Sequence, residues 1–339
     1  MMKISLAEKR SLSSNSVHPH RIKNYESIFE TIRNSDTPLS ISEICRITGI
    51  SHPTVARILE ELHEKKLIKY EKNHNTYIGR KPITVQFCAD AGVLIGLEIG
   101  NETYGVITDL KGKIISRKNS SLSKHKLDAK NLIEFVEHIS DEDCFDNKKL
   151  FGIGVAMSGM VNMEGEYINL EKKEKLPVKK ILEDKFSVPV IVENDANMMM
   201  LAENQMGIAK DIQNGIYVLK TSSGIGFGIM VNGGLYRGSR GLAGENLEVI
   251  PSKVNGEIKE TEKFIKGICK LIYLFDPDIV ILGGELINSG TSFLHHLRSK
   301  IDKLDEIKRS VKIEFAKLGR ESIVLAVTNL GIQKLFNRT

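Results

Sequence analysis

The stretch that most constrains this chain is Pro38–Lys66, PLSISEICRITGISHPTVARILEELHEKK. Its punctuation fits two short helices joined by a tight turn. Ser40 and Glu43 have the S-x-x-E spacing of a capping box, which satisfies free backbone N–H groups at a helix start. Ile41, Ile44, Cys45 and Ile47 then supply a short apolar face. Gly49 can take the positive φ that the turn needs. Ser51 suits an N-cap, and Pro53 falls in a first turn, where its missing N–H costs nothing. Val55, Ile58, Leu59 and Leu62 follow at i, i+3, i+4 and i+7, one buried stripe of a second helix.

Ser51, His52, Thr54 and Arg57 lie off that stripe, near the helix start. Small polar and cationic side chains of this kind reach base edges and phosphates in a major groove. The pattern predicts a helix-turn-helix whose recognition helix begins at Ser51. An αα-hairpin with a solvated outer face satisfies the same apolar spacing. Tyr25, Ile28, Phe29 and Ile32 predict a further helix, about His20 to Arg33, that completes a three-helix core. Residues 1–19 are polar and Ser-rich, and they are expected to be flexible. Beyond the second helix, Leu67–Tyr70 and Thr84–Phe87 look like the strands of a β-wing with Lys72, Asn73, His74 and Asn75 at its tip. Gly79-Arg80-Lys81-Pro82 can lay Arg80, with Lys81 beside it, in a narrow minor groove, where the negative potential is greatest. A basic turn leading into a linker is the other reading of those four residues.

Charge placement agrees with a polyanion partner. Residues 1–90 hold 14 Lys and Arg against 10 Asp and Glu, so most of the net +5 sits there. No apolar run is long enough to span a membrane, and no signal-peptide core is seen. Cys45, Cys88, Cys144 and Cys269 are too scattered for a zinc or disulfide framework. A reducing cytoplasm is the expected location.

From residue 91 the pattern changes to buried strands that end in glycine or polar loops. Val93–Gly100, Tyr104–Leu110, Lys113–Arg117, Phe151–Met157 and Val188–Val192 are the strands of a first lobe, about 91–205. A helix is expected over about Ala129–Ile139, and another opens at Glu193-Asn194-Asp195-Ala196-Asn197. Ile216–Lys220, Phe227–Val231 and Asp278–Leu282 are strands of a second lobe, about 206–320, with Val311–Ala316 as its last. Asn232-Gly233 is a hairpin turn. Glu262–Leu274 and a last helix, 321–336, complete the α/β order.

These residues resemble the repressor branch of the ROK family, the sugar-responsive repressors and sugar kinases. The resemblance rests on Gly152–Gly159, Val192–Asn197, Gly234–Gly238 with Gly241–Glu245, and Ile281–Gly284, together with the winged helix and Gly79–Pro82. It implies a winged helix-turn-helix over 20–88. That module is followed over 91–339 by a two-lobed effector domain of ribonuclease-H-like (actin/hexokinase-type) fold. It also implies that Asp195 holds the position from which family kinases deprotonate a sugar hydroxyl, and that Asn169, Asn194 and Glu245 face the sugar. A helix N-cap is the alternative role for Asn194 and Asp195.

Three departures argue against catalysis. The kinase phosphate loop D-x-G-G-T is replaced by Glu98-Ile99-Gly100-Asn101-Glu102, which loses a Gly and a Thr and adds a negative charge. Glu248 stands where the family places a zinc-binding, sugar-contacting His. The cysteine-rich zinc segment is absent between Lys253 and Phe264. The expectation is therefore a DNA-binding transcriptional regulator, a repressor of carbohydrate genes, acting as a homodimer or higher oligomer on double-stranded operator DNA. No catalytic residue, metal or cofactor is expected, and a small carbohydrate is the expected effector. The rivals are a regulator with no small-molecule effector and a sugar kinase with a DNA-binding arm.

Overall fold

The capping box forms as its spacing requires. Ser40 N donates to Glu43 Oε2 at 2.7 Å and Glu43 N donates to Ser40 Oγ at 3.3 Å. The structure is a computed structural model that describes residues 19–72, 83–140, 148–170, 172–222, 224–245, 258–304 and 310–335. They divide into two units, residues 1–93 with 109–113 and 332–339, and residues 94–108 with 114–331.

In the first unit, α1 (Pro19–Arg33), α2 (Ile41–Thr48) and α3 (His52–Glu64) enclose one core. Tyr25, Ile28, Phe29 and Ile32 of α1 meet Ile44 of α2 and Val55, Ile58, Leu59 and Leu62 of α3, all buried. Gly49 ends α2 at φ 70°, the left-handed conformation expected of the turn. Ile47 departs from expectation, because it is 55% exposed. At 3.6 residues per turn the inward row of α2 runs Ile41, Ile44, Cys45 and Thr48, and Ile47 falls off it. Ser51 occupies the N-cap of α3, but its hydroxyl pairs with Thr54 Oγ1 at 3.0 Å instead of capping a backbone N–H.

The wing is antiparallel. β2 (Ile68–Lys72) pairs with β3 (Ile83–Phe87), Ile68 opposite Phe87. A two-residue strand, β1 (Leu39–Ser40), adds to the other edge of β3. Phe87 seats this sheet on α1 by an edge-on contact with Phe29, ring centroids 5.5 Å apart. Arg33 is buried and donates from Nε to Leu110 O at 2.8 Å, so the 109–113 turn belongs to this unit. The wing tip with Asn73, His74 and Asn75, and the Gly79-Arg80-Lys81-Pro82 segment, lie outside the described residues, as do residues 1–18.

The second unit holds two five-stranded sheets. The first has the order β10-β7-β4-β5-β6. Its members are β4 (Gly92–Ile99), β5 (Thr103–Asp109), β6 (Ile114–Ser120), β7 (Lys149–Met157) and β10 (Val190–Asn194). β10 lies parallel to β7 and runs two residues further than expected, so that Asn194 is its last residue. A small hairpin of β8 (Tyr167–Asn169) and β9 (Glu174–Leu176) lies between them in sequence. α4 (Ala129–Ser140) and α5 (Val178–Phe186) belong to this half.

The second sheet has the order β13-β12-β11-β14-β15. It comprises β11 (Gly215–Thr221), β12 (Gly224–Val231), β13 (Gly234–Leu235), β14 (Ile279–Gly284) and β15 (Lys312–Phe315). β12 turns into β13 through Asn232 (φ 52°) and Gly233 (φ 74°), the hairpin that the dipeptide predicts. Alternation along β11 divides the core. Ile216 and Val218 pack with α7 (Ile258–Phe275) and α8 (Gly290–Leu304). Tyr217 and Leu219 pack with α6 (Asp195–Met206) and α9 (Arg320–Leu335). α6 therefore lies in the apolar cluster that joins the two sheets, with Ala156 and Ile191 of the first sheet beside it. No helix among the described residues is long and apolar enough to cross a membrane.

Candidate functional site

Two surfaces carry chemistry. The first is the outward face of α3. Ser51, His52 and Arg57 are exposed and Thr54 is half-buried, while Val55, Ile58, Leu59 and Leu62 on the opposite side are buried. Burial of that stripe fixes the roll of the helix and holds the polar set outward. Among the described residues Arg57 makes no ion pair. Arg80 and Lys81 fall outside the described residues, so the structure does not place them beside this face.

The second surface is a cleft in the larger unit, organised by the start of α6. Asn194 is its N-cap, with Oδ1 accepting from Ala196 N at 2.9 Å and Asn197 N at 3.2 Å. Its Nδ2 donates to Gly159 O at 3.0 Å, which ties α6 to the loop after β7. Asp195, next in line, accepts from Ala196 N at 2.8 Å and is bonded by the Ser158 side chain. Gly228 lets this helix start lie flat on β12, since a Cβ there would stand 2.1 Å from Ala196 O. The segment bearing Glu245 is held equally close. Phe227 N donates to Gly244 O at 2.9 Å, and Gly244 sits at φ 92°. Glu193, buried, links the two parts of the site: Oε1 accepts from Asn197 Nδ2 at 2.9 Å, and Oε2 pairs with Arg237.

These supports create a cavity of about 100 Å³ faced by Lys124, Ser158, Asn194, Asp195, Thr221 and Glu245, with Gly and Leu backbone around them. Lys124 is buried and its Nζ lies 3.4 Å from Ser158 Oγ. Burial pushes the Asp195 carboxyl up from 3.8 to about 6, with the Glu98 charge adding to it and Ser158 and Lys124 opposing. Burial also lifts Glu245 from 4.5 to about 7, helped by repulsion from Asp195 and opposed by Lys124. The site thus offers acceptors on two carboxyls and a donor on one lysine, a set suited to a polyhydroxylated ligand.

Of the four residues assigned to a ligand from sequence, the structure brings three together: Asn194, Asp195 and Glu245. Asn169 is not among the cavity residues. Its Oδ1 accepts from Lys172 N at 3.1 Å and closes the turn after β8. Asn194 already spends both ends of its amide within the fold. Lys124 and Ser158 are additions that the sequence reading missed. Lys124 sits in a polar run, Ser123-Lys124-His125-Lys126, where no periodicity marks an inward side chain.

A second, larger cavity of about 490 Å³ shares Ser158, Asp195, Leu219 and Thr221 with the first. Its rim is the turn after β4. Glu98 is paired with Arg320, and Arg320 Nη2 also donates to Glu102 O at 3.2 Å. Burial raises the Glu98 carboxyl, and Arg320 opposes that rise. Asn101 Nδ2 donates to Ser222 Oγ at 3.0 Å, across from the first sheet to the second. The far end of α6 is also tied down. Glu203, fully buried, accepts from Ile208 N at 2.9 Å, Lys317 N at 2.8 Å and Leu318 N at 3.0 Å. No three His, Cys, Asp or Glu residues cluster among the described residues, and the segment that carries Glu248 lies outside them.

Residues 94–247 match the model of the ROK family, and residues 27–74 match that of the MarR family. A xylose repressor of Bacillus spizizenii is 30% identical over 360 residues, covering 90% of this chain and 93% of that protein. A solved ROK family transcriptional regulator, described as a homolog of the Escherichia coli MLC protein, superposes with a TM-score of 0.74 at 15% identity, covering 94% of this chain and 97% of that one. A ROK hexokinase from Thermus thermophilus superposes with a TM-score of 0.59 at 20% identity over 71% of this chain and 99% of its own. The last two likenesses speak to fold alone.

Proposed function

Since the chain belongs to the ROK family, we propose that it is a DNA-binding transcriptional repressor of sugar-metabolism genes whose larger unit senses a small carbohydrate. The observation that carries the reading is α3. A helix fixed by a fully buried stripe presents Ser51, His52, Thr54 and Arg57, which makes no ion pair among the described residues, from its amino end, next to a β-wing. That is the set a major groove takes, and Arg80 and Lys81 of the wing would follow into the minor groove. Two copies would read the two halves of a near-palindrome, one helical turn or a multiple apart. The protein would act in the cytoplasm, where its operator is.

In the cleft, the carboxyls of Asp195 and Glu245 accept hydrogen bonds from sugar hydroxyls and Lys124 donates to a ring or hydroxyl oxygen. Asn194 keeps the helix start in place and has one N–H left to offer. Occupancy of the cleft shifts the protein between DNA-bound and released states by its differential affinity for the two, typically about 1–3 kcal/mol of coupling. Phosphoryl transfer is not part of this function. The position of a phosphate loop carries Glu98 and Glu102, and Arg320 is committed to both. The raised carboxyl of Asp195 is the one feature a kinase would use.

Selection of bound fragments from random DNA, repeated with and without sugars, tests the whole reading. An enriched palindromic site that is lost in R57A is the expected result. Equal retention of all duplexes would refute it, and sugar-dependent ADP release in a coupled assay would restore the kinase reading.

A further inference from the structure

Resting on the carbohydrate-sensing reading above, we propose that the effector has two linked rings, a disaccharide. Its terminal ring would sit on Asp195, Glu245 and Lys124, and its second ring would fill the larger cavity. The inner cavity of about 100 Å³ falls below the ~300–1,000 Å³ usual for small-molecule sites, whereas the outer one of about 490 Å³ falls within that range. The two share Ser158, Asp195, Leu219 and Thr221 in their linings, so they lie side by side at Asp195. A ligand too large for the inner cavity would extend past those four residues into the outer one.

The lining of the outer cavity selects what can enter. Met199, Leu219, Ile287, Leu318 and Ile323 form an apolar wall. Facing them are Asn101, Thr221 and the backbone of Gly284 and Gly319. A sugar ring has this division, with C–H groups on its faces and hydroxyls on its edge. Phosphate chains fit poorly, because Glu98 and Glu102 would meet them and Arg320 is already paired.

The test is calorimetric titration of the full chain with D-xylose, D-glucose, xylobiose, cellobiose and ATP. At least one two-ring sugar binds tenfold or more tightly than its own monosaccharide, and ATP does not bind. Gly319 gives a clean probe, because a Cβ there meets nothing within 4 Å. G319W obstructs the outer cavity, so it removes the two-ring advantage and leaves monosaccharide affinity in place, while G319A keeps both. Monosaccharides that bind as tightly as their disaccharides, or a two-ring advantage that survives G319W, overturn this inference alone. Failure of every sugar to bind removes the carbohydrate-sensing reading along with it. Binding of ATP overturns the assignment of the outer cavity.

Discussion

Replacing Asp195 by Asn should make the protein more stable at alkaline pH and have almost no effect at acid pH. The carboxyl is 8% exposed, and burial is the main reason it ionises at about 6 rather than 3.8. The folded state therefore holds this proton more tightly than the unfolded chain. Its contribution to stability is fully present below about 3.8 and is lost as pH rises through about 6. At ~1.4 kcal/mol for each pH unit between the two values, the charged carboxylate costs about 3 kcal/mol at pH 8. The amide of D195N carries no charge and can still accept from Ala196 N through Oδ1. The variant should gain up to about 3 kcal/mol at pH 8, about 6–12 °C in melting temperature for a unit of this size. The gain should shrink steadily between pH 6 and pH 4. Urea unfolding of both proteins at pH 8, 6 and 4 measures it, with the larger unit followed separately, since two units need not unfold together. An equal difference at all three pH values, or a loss at pH 8, would refute the argument that buried charge is the cause. Sugar binding should fall in the same variant, so the stability withheld by Asp195 would be the cost of a working site.

Further outcomes follow from other parts of the fold. R57A should weaken specific DNA binding and reduce the slope of log affinity against log salt by about one, read by fluorescence anisotropy across a salt series. L59A should destabilise the smaller unit by about 2–5 kcal/mol and abolish DNA binding through unfolding, detectable as loss of helical circular dichroism from that unit. G228A places a methyl group against Ala196 O, so it should displace the start of α6 and remove sugar binding while overall helix content stays intact. E203A should destabilise the larger unit by about 1–3 kcal/mol, because three partly buried backbone N–H groups lose their acceptor.

How far the chain could be read in advance depended on whether a local rule had a competitor. The capping box, Gly49 and the Val55–Leu62 stripe each have one low-energy arrangement, and α2 and α3 appear where those rules put them. The Asn232-Gly233 turn is equally local. Helices with weak apolar faces were not legible. α5 buries only Val178 and Leu182, and in α8 the buried Leu294, Leu297 and Ile301 are interrupted by His295 and His296. β1 is two residues long and exists only because β3 offers it an edge. In the cleft, Asp195 and Glu245 were visible through the family's motifs, but Lys124 was not. Its inward position is set by Lys124 N donating to Gly100 O at 2.8 Å, a contact between segments far apart in sequence. Asn169, placed with the ligand by its motif position, lies outside the cavity lining, and its side-chain oxygen accepts from Lys172 N in the turn after β8.

α6 is anchored at both of its ends. Asp195 opens it beside the ligand cavity, and Glu203, on its last turns, grips the backbone of Lys317 and Leu318 just ahead of Arg320. A displacement imposed at one terminus of so short a rod is delivered to the other nearly undiminished. The amide protons of residues 317 and 318 are consequently built-in reporters. Their exchange with deuterated solvent should slow or quicken when a monosaccharide fills the inner cavity, whose lining includes neither residue.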